Sequence, residues 1–267
     1  MGLFNSDRFS RPGPGVSPDE PRKKGLARLA ELLGRDGVSF YMAGLLALVS
    51  LLPYLFGLWV ALASHSILPM LLAGLLGGAL AAPQLCGLID TILRALRDEP
   101  GYFLVTYRRA WKQNARASLL PGALGGLVIA AQLFTWSVLA GDGLQLLHGI
   151  LLAVMFLAFG LLLYLFAQIP LMDLPLSALL KNAAFLFLGY LANSALGVLA
   201  LGGYLLLVYL FFPLSLGVLL LTNAWLPVLL ALMAIYKPLD KTFSIEQRIK
   251  AKRDAELAGG TDLPASR

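Results

Sequence analysis

Residues 183–236 read AAFLFLGYLANSALGVLALGGYLLLVYLFFPLSLGVLLLTNAWLPVLLALMAIY, a stretch that contains no Asp, Glu, Lys, Arg or His. A helix needs about 20 apolar residues to cross roughly 30 Å of hydrocarbon. This stretch therefore predicts two transmembrane spans, with a turn at the FFP sequence of 211–213. Because the apolar residues follow one another without alternation, helices that satisfy their own backbone hydrogen bonds are favoured over barrel strands.

Four further apolar runs precede this stretch, so the chain is predicted to be an all-α, polytopic transmembrane helix bundle of about six spans. Composition agrees, since 13% of the residues are charged, whereas soluble domains carry about 25%. The predicted spans are 40–63, 67–89, 119–139, 144–169, 183–210 and 214–236. They divide the chain into an amino-terminal tail at 1–38 with a short amphipathic helix, a transmembrane bundle at 39–236 and a carboxyl-terminal tail at 237–267.

Basic residues are confined to one set of connections. The 21 Lys and Arg residues lie in the two tails, in the loop after span two, and at Lys181 between spans four and five. Because cytoplasmic loops carry an excess of Lys and Arg, both termini are predicted to be cytoplasmic. The positive charge is spread along the chain and does not cover one folded face, so the expected partner is an anionic lipid bilayer and not nucleic acid.

A turn at 97–102, RDEPGY, ends span two and starts an amphipathic cytoplasmic helix before span three. At about 100° per residue, aromatic and small residues share one side of this helix and cations lie opposite. The helix is either an interfacial connector at the lipid headgroups or a docking element for a partner. The candidate interfacial or docking residues are Tyr102, Phe103, Tyr107, Arg108, Trp111, Lys112, Asn114, Lys181 and Asn182.

Lys181 and Asn182 belong to this set because of a weak internal repeat. The sequence AWKQNA at 110–115 aligns with ALLKNA at 178–183, which superposes Asn114 on Asn182 with a shift of 68 residues. Each segment precedes a predicted span. A duplicated helical hairpin would explain the match.

Small residues recur at every fourth position in spans two and three. This spacing is typical of membrane helices that approach each other closely, either within one chain or at a subunit interface. The candidate packing residues are Gly74, Gly78, Ala82, Gly122, Gly126 and Ala130.

Polar residues inside the predicted spans have two interpretations. Pro83 adjoins Gln84, and Pro227 withdraws a helical hydrogen bond from the carbonyl of Asn223, so both helices are expected to kink. Such kinks either pack inside the bundle or open a polar cavity of the kind found in transporters. The candidate cavity residues are Gln84, Asp90, Gln132, Asn193 and Asn223.

Motifs of common enzyme classes are absent from the sequence. It contains no G-x-x-x-x-G-K phosphate loop, no H-E-x-x-H metal pair and no G-x-S-x-G nucleophile turn. We therefore expect no enzymatic activity, no cofactor and no metal site.

Several short segments carry a resemblance to a known family. They are MGLFN at 1–5, RPGPGV at 11–16, DEP at 19–21, RDEPGY at 97–102 and WKQN at 111–114. Together they resemble the YesL-like family of bacterial integral membrane proteins, which is defined by a domain of unknown function. Pro100 stands where a second Glu is expected. The resemblance implies a multi-pass protein of the bacterial plasma membrane that accompanies carbohydrate importers of the ABC class, and it supplies no catalytic residues.

Two functional hypotheses follow. In the first, the chain is an accessory or regulatory subunit associated with a carbohydrate ABC-type importer and its permease subunits, as the resemblance and the amphipathic helix suggest. In the second, the chain is an autonomous small-solute carrier or permease, as the kinked spans and the repeat suggest.

Overall fold

The computed structural model describes residues 22–99, 101–139, 145–249 and 251. Throughout these residues the regular secondary structure is helical, without a strand, which confirms the predicted all-α class. The motifs at 1–5, 11–16 and 19–21 lie outside the described residues. The helices are α1 (Gly25–Ser64), α2 (Ile67–Leu96), α3 (Phe103–Val138), α4 (Gln145–Gln168), α5 (Leu176–Gly189), α6 (Leu191–Leu210), α7 (Ser215–Thr222) and α8 (Trp225–Phe243).

The described helices include five, α1, α2, α3, α4 and α6, that are long and apolar enough to cross a membrane. Helices α7 and α8, bent by 63° at a short break, add a sixth span when they are counted as one. Large apolar side chains such as Phe56, Trp59, Leu199 and Leu205 are exposed along these helices. Proteins in water rarely expose apolar surface on this scale, whereas lipid solvates it. The chain is therefore a multi-pass helical membrane protein.

The chain divides into two compact units, Met1–Asp36 and Gly37–Arg267. The described part of the first unit contains the start of α1, where Arg28 and Glu31 form an ion pair of 3.3 Å at a spacing of three residues. Helix α1 starts at Gly25 and ends at Ser64. The amphipathic stretch predicted for the amino-terminal tail is therefore helical from Gly25 onward.

The predicted amphipathic helix and span three are likewise one continuous helix. Helix α3 contains 36 residues, which corresponds to about 54 Å at 1.5 Å per residue. This length exceeds the roughly 30 Å of a hydrocarbon core. Residues 103–118 contain neither Gly nor Pro, so nothing in that segment interrupts the helical hydrogen bonds. The amphipathic helix predicted before span three therefore runs directly into that span.

The predicted span at 183–210 is interrupted. Helix α5 ends at Gly189 and α6 begins at Leu191, because Tyr190 leaves the helical conformation with φ −127° and ψ 50°. The Ser194 hydroxyl lies 3.0 Å from the carbonyl oxygen of Phe187 and 2.9 Å from that of Tyr190, at the end of α5. The 20 residues of α6 suffice for a span, whereas the 14 residues of α5 fall short of one.

The last predicted span, 214–236, is broken at Asn223, four residues before Pro227. Asn223 has φ 31° and ψ −132°, a conformation rare for residues other than glycine, and α8 restarts at Trp225. Pro227 is the third residue of α8 and has no N–H to donate to the carbonyl of Asn223. The kink expected at Pro227 is thus a break four residues earlier. Helix α8 then continues past the predicted boundary at 236 to Phe243.

Helices α2 and α3 make the most extensive contact between helices in the described chain. Their backbones meet through glycine. A Cβ atom added to Gly78 would collide with the carbonyl oxygen of Gly122 and lie 3.0 Å from the Cα of Gly126. A Cβ atom added to Gly126 would lie 2.5 Å from the carbonyl oxygen of Gly74. The sequence left open whether these small residues pack within one chain or at a subunit interface. In the structure they pack within the chain, between α2 and α3.

Helix α1 joins the same contact. Residues Ala73–Gly77 form a π-helical turn in α2, and a Cβ atom on Gly77 would lie 2.7 Å from the Cα of Tyr54. The buried Tyr54 hydroxyl donates a hydrogen bond of 3.1 Å to the carbonyl of Gly126. Ala82 would meet a Cβ atom on Gly122, whereas Ala130 packs with Tyr54 in a separate apolar cluster.

Because the α2–α3 contact leaves no room for a side chain, a single methyl group at Gly78 should push the helices apart. Gly78→Ala is expected to lower the free energy of unfolding by about 1–3 kcal/mol. The measurement is thermal or denaturant unfolding of the purified protein in detergent.

Gly203→Ala in α6 is the matched control, since a Cβ atom there meets no atom within 4 Å. Relief of the glycine penalty in a helix should leave this variant unchanged or stabilise it by up to about 1 kcal/mol. Equal stability of the two variants would contradict the described contact.

Candidate functional site

The carboxyl end of α2 carries a network of charged side chains, here called the charged end and defined by Asp90, Arg94, Arg97 and Glu99. The buried Asp90 carboxylate accepts a 2.8 Å hydrogen bond from Nε of Arg94, one helical turn later. Nη1 of Arg94 lies 3.7 Å from Oε2 of Glu99. Opposite charges four residues apart on a helix attract each other, and cations are favoured at a helix carboxyl end.

Glu99 completes this network because the chain turns back after α2. Asp98 adopts a left-handed conformation with φ 59°, and the amide of Glu99 donates to the carbonyl of Arg94. Arg97 then donates to both oxygens of Glu99, from Nε at 2.8 Å and from Nη2 at 3.1 Å. Such two-pronged Arg–carboxylate pairs are strong and directional. The turn at 97–102 therefore has a defined shape at its start.

The segment after α8 folds back against that helix. Ser244 adopts a left-handed conformation, and residues 245–249 are again helical. The Tyr236 hydroxyl donates to Oε1 of Glu246 at 2.9 Å, and the amide of Glu246 donates to Oδ1 of Asp240 at 2.9 Å. Ile245 is buried. Residues 237–249, predicted as part of a tail, are thus folded together with the last helix.

A cavity of about 480 Å³ opens at the charged end. Three parts of the chain form it: the end of α2, the connection after α4 and the segment after α8. Its volume falls within the roughly 300–1,000 Å³ range of small-molecule sites, and its walls combine apolar and charged side chains. The lining residues are Asp90, Arg94, Arg97, Glu99, Pro170, Leu171, Met172, Phe243, Ile245, Arg248 and Ile249.

The first turns of α3 have the two-sided character expected from the sequence. Tyr107, Ala110 and Ser118 are buried, Trp111 and Asn114 are partly buried, and Phe103 is partly exposed. The cations on the other side are exposed: Arg108, Arg109, Lys112 and Arg116.

Tyr107 and Gln84, predicted separately as a docking residue and a cavity residue, bind each other. The Tyr107 hydroxyl donates a 2.7 Å hydrogen bond to Oε1 of Gln84. The ring of Tyr107 covers Gly87, where a Cβ atom would lie 2.7 Å from it, and packs against Phe103 at 5.3 Å between centroids. Both side chains therefore hold α3 against α2.

Two further polar candidates also bond within the bundle. Nδ2 of Asn193 donates to the carbonyl of Ala234 at 2.8 Å, which links α6 to α8. Nδ2 of Asn223 donates to the carbonyl of Tyr41 at 3.3 Å, and its Oδ1 accepts from the amide of Trp225 at 3.1 Å. The Asn223 side chain sits directly on Gly44. These residues tie helices together and do not line the cavity at the charged end.

The remaining candidates are placed as follows. Asp90 lines the cavity. Gln132 is partly exposed, and its Oε1 has no hydrogen-bond partner among the described residues. Lys181 is exposed and Asn182 is partly buried on α5.

The repeat that related Asn114 to Asn182 is not reproduced in the helices. Asn114 lies inside the continuous α3, whereas Asn182 lies in the short α5, which stops before α6 begins. The two segments therefore do not form equivalent hairpins.

Sequence reasoning missed most of the cavity. Arg94, Arg97 and Glu99 were visible as a dense charge group after span two, and the spacing of Asp90 and Arg94 already indicated an ion pair. Nothing in the sequence indicated that the apolar link at 170–172 or the distant Arg248 would meet that group. Within the described residues, no group of three His, Cys, Asp or Glu side chains is placed to hold a metal.

No family model matches the chain, and the searches of curated proteins and of solved structures also find no match. The fold and the hydropathy of its helices define the class, a multi-pass helical membrane protein with a cavity bounded by the ends of three of its helices.

The Tyr107–Gln84 hydrogen bond should contribute measurably to stability. Tyr107→Phe keeps the ring on Gly87 and removes the donor, so we expect a loss of about 0.5–1.5 kcal/mol in the free energy of unfolding. Tyr209→Phe is the control, because Tyr209 is 78% exposed. Unfolding in detergent would measure both, and a neutral Tyr107→Phe would argue against the described bond.

Proposed function

We propose that this chain is an accessory or regulatory membrane subunit that associates with a carbohydrate importer of the ABC class. The observation that carries the proposal is the exposed side of the first turns of α3, here called the α3 docking face. The face consists of Tyr102, Leu104, Val105, Arg108, Arg109, Lys112 and Arg116. The resemblance to the YesL-like family supports the choice of partner.

The α3 docking face combines large apolar surface with positive charge. Tyr102, Leu104 and Val105 are 87%, 73% and 59% exposed. Arg108 and Lys112 are exposed beside them. Protein interfaces favour aromatic and Arg side chains, and complementary charge selects the partner. A permease subunit with an apolar, acidic surface would fit this face.

The face is held rigidly, which lowers the entropy lost on association. On the opposite side of the same turns, Tyr107 and Ala110 are buried, and the Tyr107 hydroxyl is bonded to Gln84 of α2. Helix α3 also continues without a break into its membrane segment. The excess of basic residues on this side of the chain favours a cytoplasmic position, where the ATPase subunits of such importers act.

Copurification in a mild detergent tests the proposal. The wild-type chain is expected to bring down permease subunits of a carbohydrate importer. The double variant Arg108→Glu with Lys112→Glu should reduce the recovered permease about tenfold or more, because like charges then face an acidic surface.

Lys241→Glu provides the control, since Lys241 is an exposed cation on α8. This variant should retain the partner. If the wild-type protein purifies without any permease subunit, or if both variants lose it equally, the docking proposal is wrong.

The alternative, an autonomous small-solute carrier, is favoured by the broken α7–α8 pair, since carriers use discontinuous helices at their binding sites. Here, however, the Asn223 side chain at the break bonds to Tyr41 and Trp225 of the same chain. We therefore expect liposomes that contain only this protein to take up radiolabelled sugars no faster than protein-free liposomes. Uptake that saturates with sugar concentration would establish the carrier instead.

A further inference from the structure

The cavity at the charged end lies where three membrane helices finish. Asp90 and Arg94 belong to the last turns of α2, Leu171 follows α4, and Arg248 follows α8. Charged side chains are costly inside the hydrocarbon core, which is only about 30 Å thick, so the charged end of α2 is expected at the level of the lipid headgroups. The cavity therefore opens at the level where lipid phosphates are concentrated.

The cavity is lined by more positive than negative side chains among the described residues. Three arginines and two carboxylates line it. Glu99 accepts two hydrogen bonds from Arg97, and Asp90 accepts one from Arg94. The side chain of Arg248 is exposed and forms no ion pair with any described residue. Among the described lining residues, positive charges thus outnumber negative ones by one, and the guanidinium of Arg248 carries donors that fit phosphate oxygens.

The rest of the wall is apolar. Leu171, Met172, Phe243 and Ile249 line the cavity beside the arginines. An inorganic ion would leave this apolar surface uncovered, whereas a phosphate attached to an apolar body would cover it and bury both parts.

We propose that this cavity binds a phosphate group carried on an apolar body, and that the source is the headgroup of an anionic phospholipid. Arg248 contacts the phosphate, the Arg94–Asp90 and Arg97–Glu99 pairs form a polar wall behind it, and Leu171 and Ile249 contact the apolar part. Basic pockets between membrane helices are known binding places for such headgroups. The site does not depend on the α3 docking face or on the identity of its partner.

Lipid titration of the purified full chain tests the site. In a nonionic detergent, phosphatidylglycerol is expected to raise the thermal midpoint by several degrees and to appear as a bound adduct in native mass spectrometry. Phosphatidylcholine, which carries no net charge, should do neither. Arg248→Gln should weaken phosphatidylglycerol binding about tenfold, because it removes the guanidinium that contacts the phosphate and leaves the Arg94–Asp90 and Arg97–Glu99 ion pairs in place.

Two controls separate the cavity from general surface charge. Lys241→Gln removes an exposed cation that does not line the cavity and should bind phosphatidylglycerol as the wild type does. Ile249→Trp fills the cavity without a change of charge and should weaken binding. Equal losses in Arg248→Gln and Lys241→Gln, or full binding by Ile249→Trp, would overturn the proposal.

Two soluble probes distinguish the sources of phosphate. Inorganic phosphate and glycerol phosphate should leave the midpoint unchanged at concentrations where phosphatidylglycerol saturates. If they protect as well as the lipid does, the phosphate site stands and its lipid source is wrong. The Arg108→Glu, Lys112→Glu double variant should bind phosphatidylglycerol normally, so a failure of the docking proposal is distinguishable from a failure of this one.

Discussion

Main-chain contact between α2 and α3 is the constraint on which the rest of the described structure depends. In hydrocarbon, apolar side chains gain nothing by leaving lipid for protein, so helices associate through close van der Waals packing and hydrogen bonds. Gly78, Gly122 and Gly126 allow this approach because they place no atom between the two backbones. The contact sets the relative positions of the end of α2, where the charged network lies, and the first turns of α3, where the docking face lies.

Because lipid offers no hydrogen bonds, the broken helices must be stabilised by hydrogen bonds within the protein. Each helix break releases carbonyl and amide groups, which are costly to leave without a partner away from water. At Tyr190 the hydroxyl of Ser194 reaches two carbonyl oxygens, and at Asn223 the amide side chain bonds to α1 and to the restarted helix. The backbone groups at both breaks are therefore hydrogen-bonded within the bundle. A break alone does not imply a transport pathway.

The charged side chains of the cavity lie at or just beyond the ends of helices. Charged groups are expensive in the bilayer centre but are tolerated where helices reach the headgroups, especially as pairs. The network of Asp90, Arg94, Arg97 and Glu99 illustrates this placement. It lines a concave cavity, and the first turns of α3 present an exposed face of apolar and positive side chains.

The sequence by itself determined that lipid surrounds this protein, that it is helical, and where its long apolar segments lie. These features follow from the length and the lack of charge of each segment, which are local properties of the chain. It also indicated which glycines lie on the close-packed faces of α2 and α3. Tertiary structure alone decided that Tyr107 binds Gln84, that Asn193 binds Ala234, and that Arg248 meets the end of α2. These facts depend on contacts between residues far apart in the chain, and a hydropathy or spacing pattern contains no information on which distant segments meet.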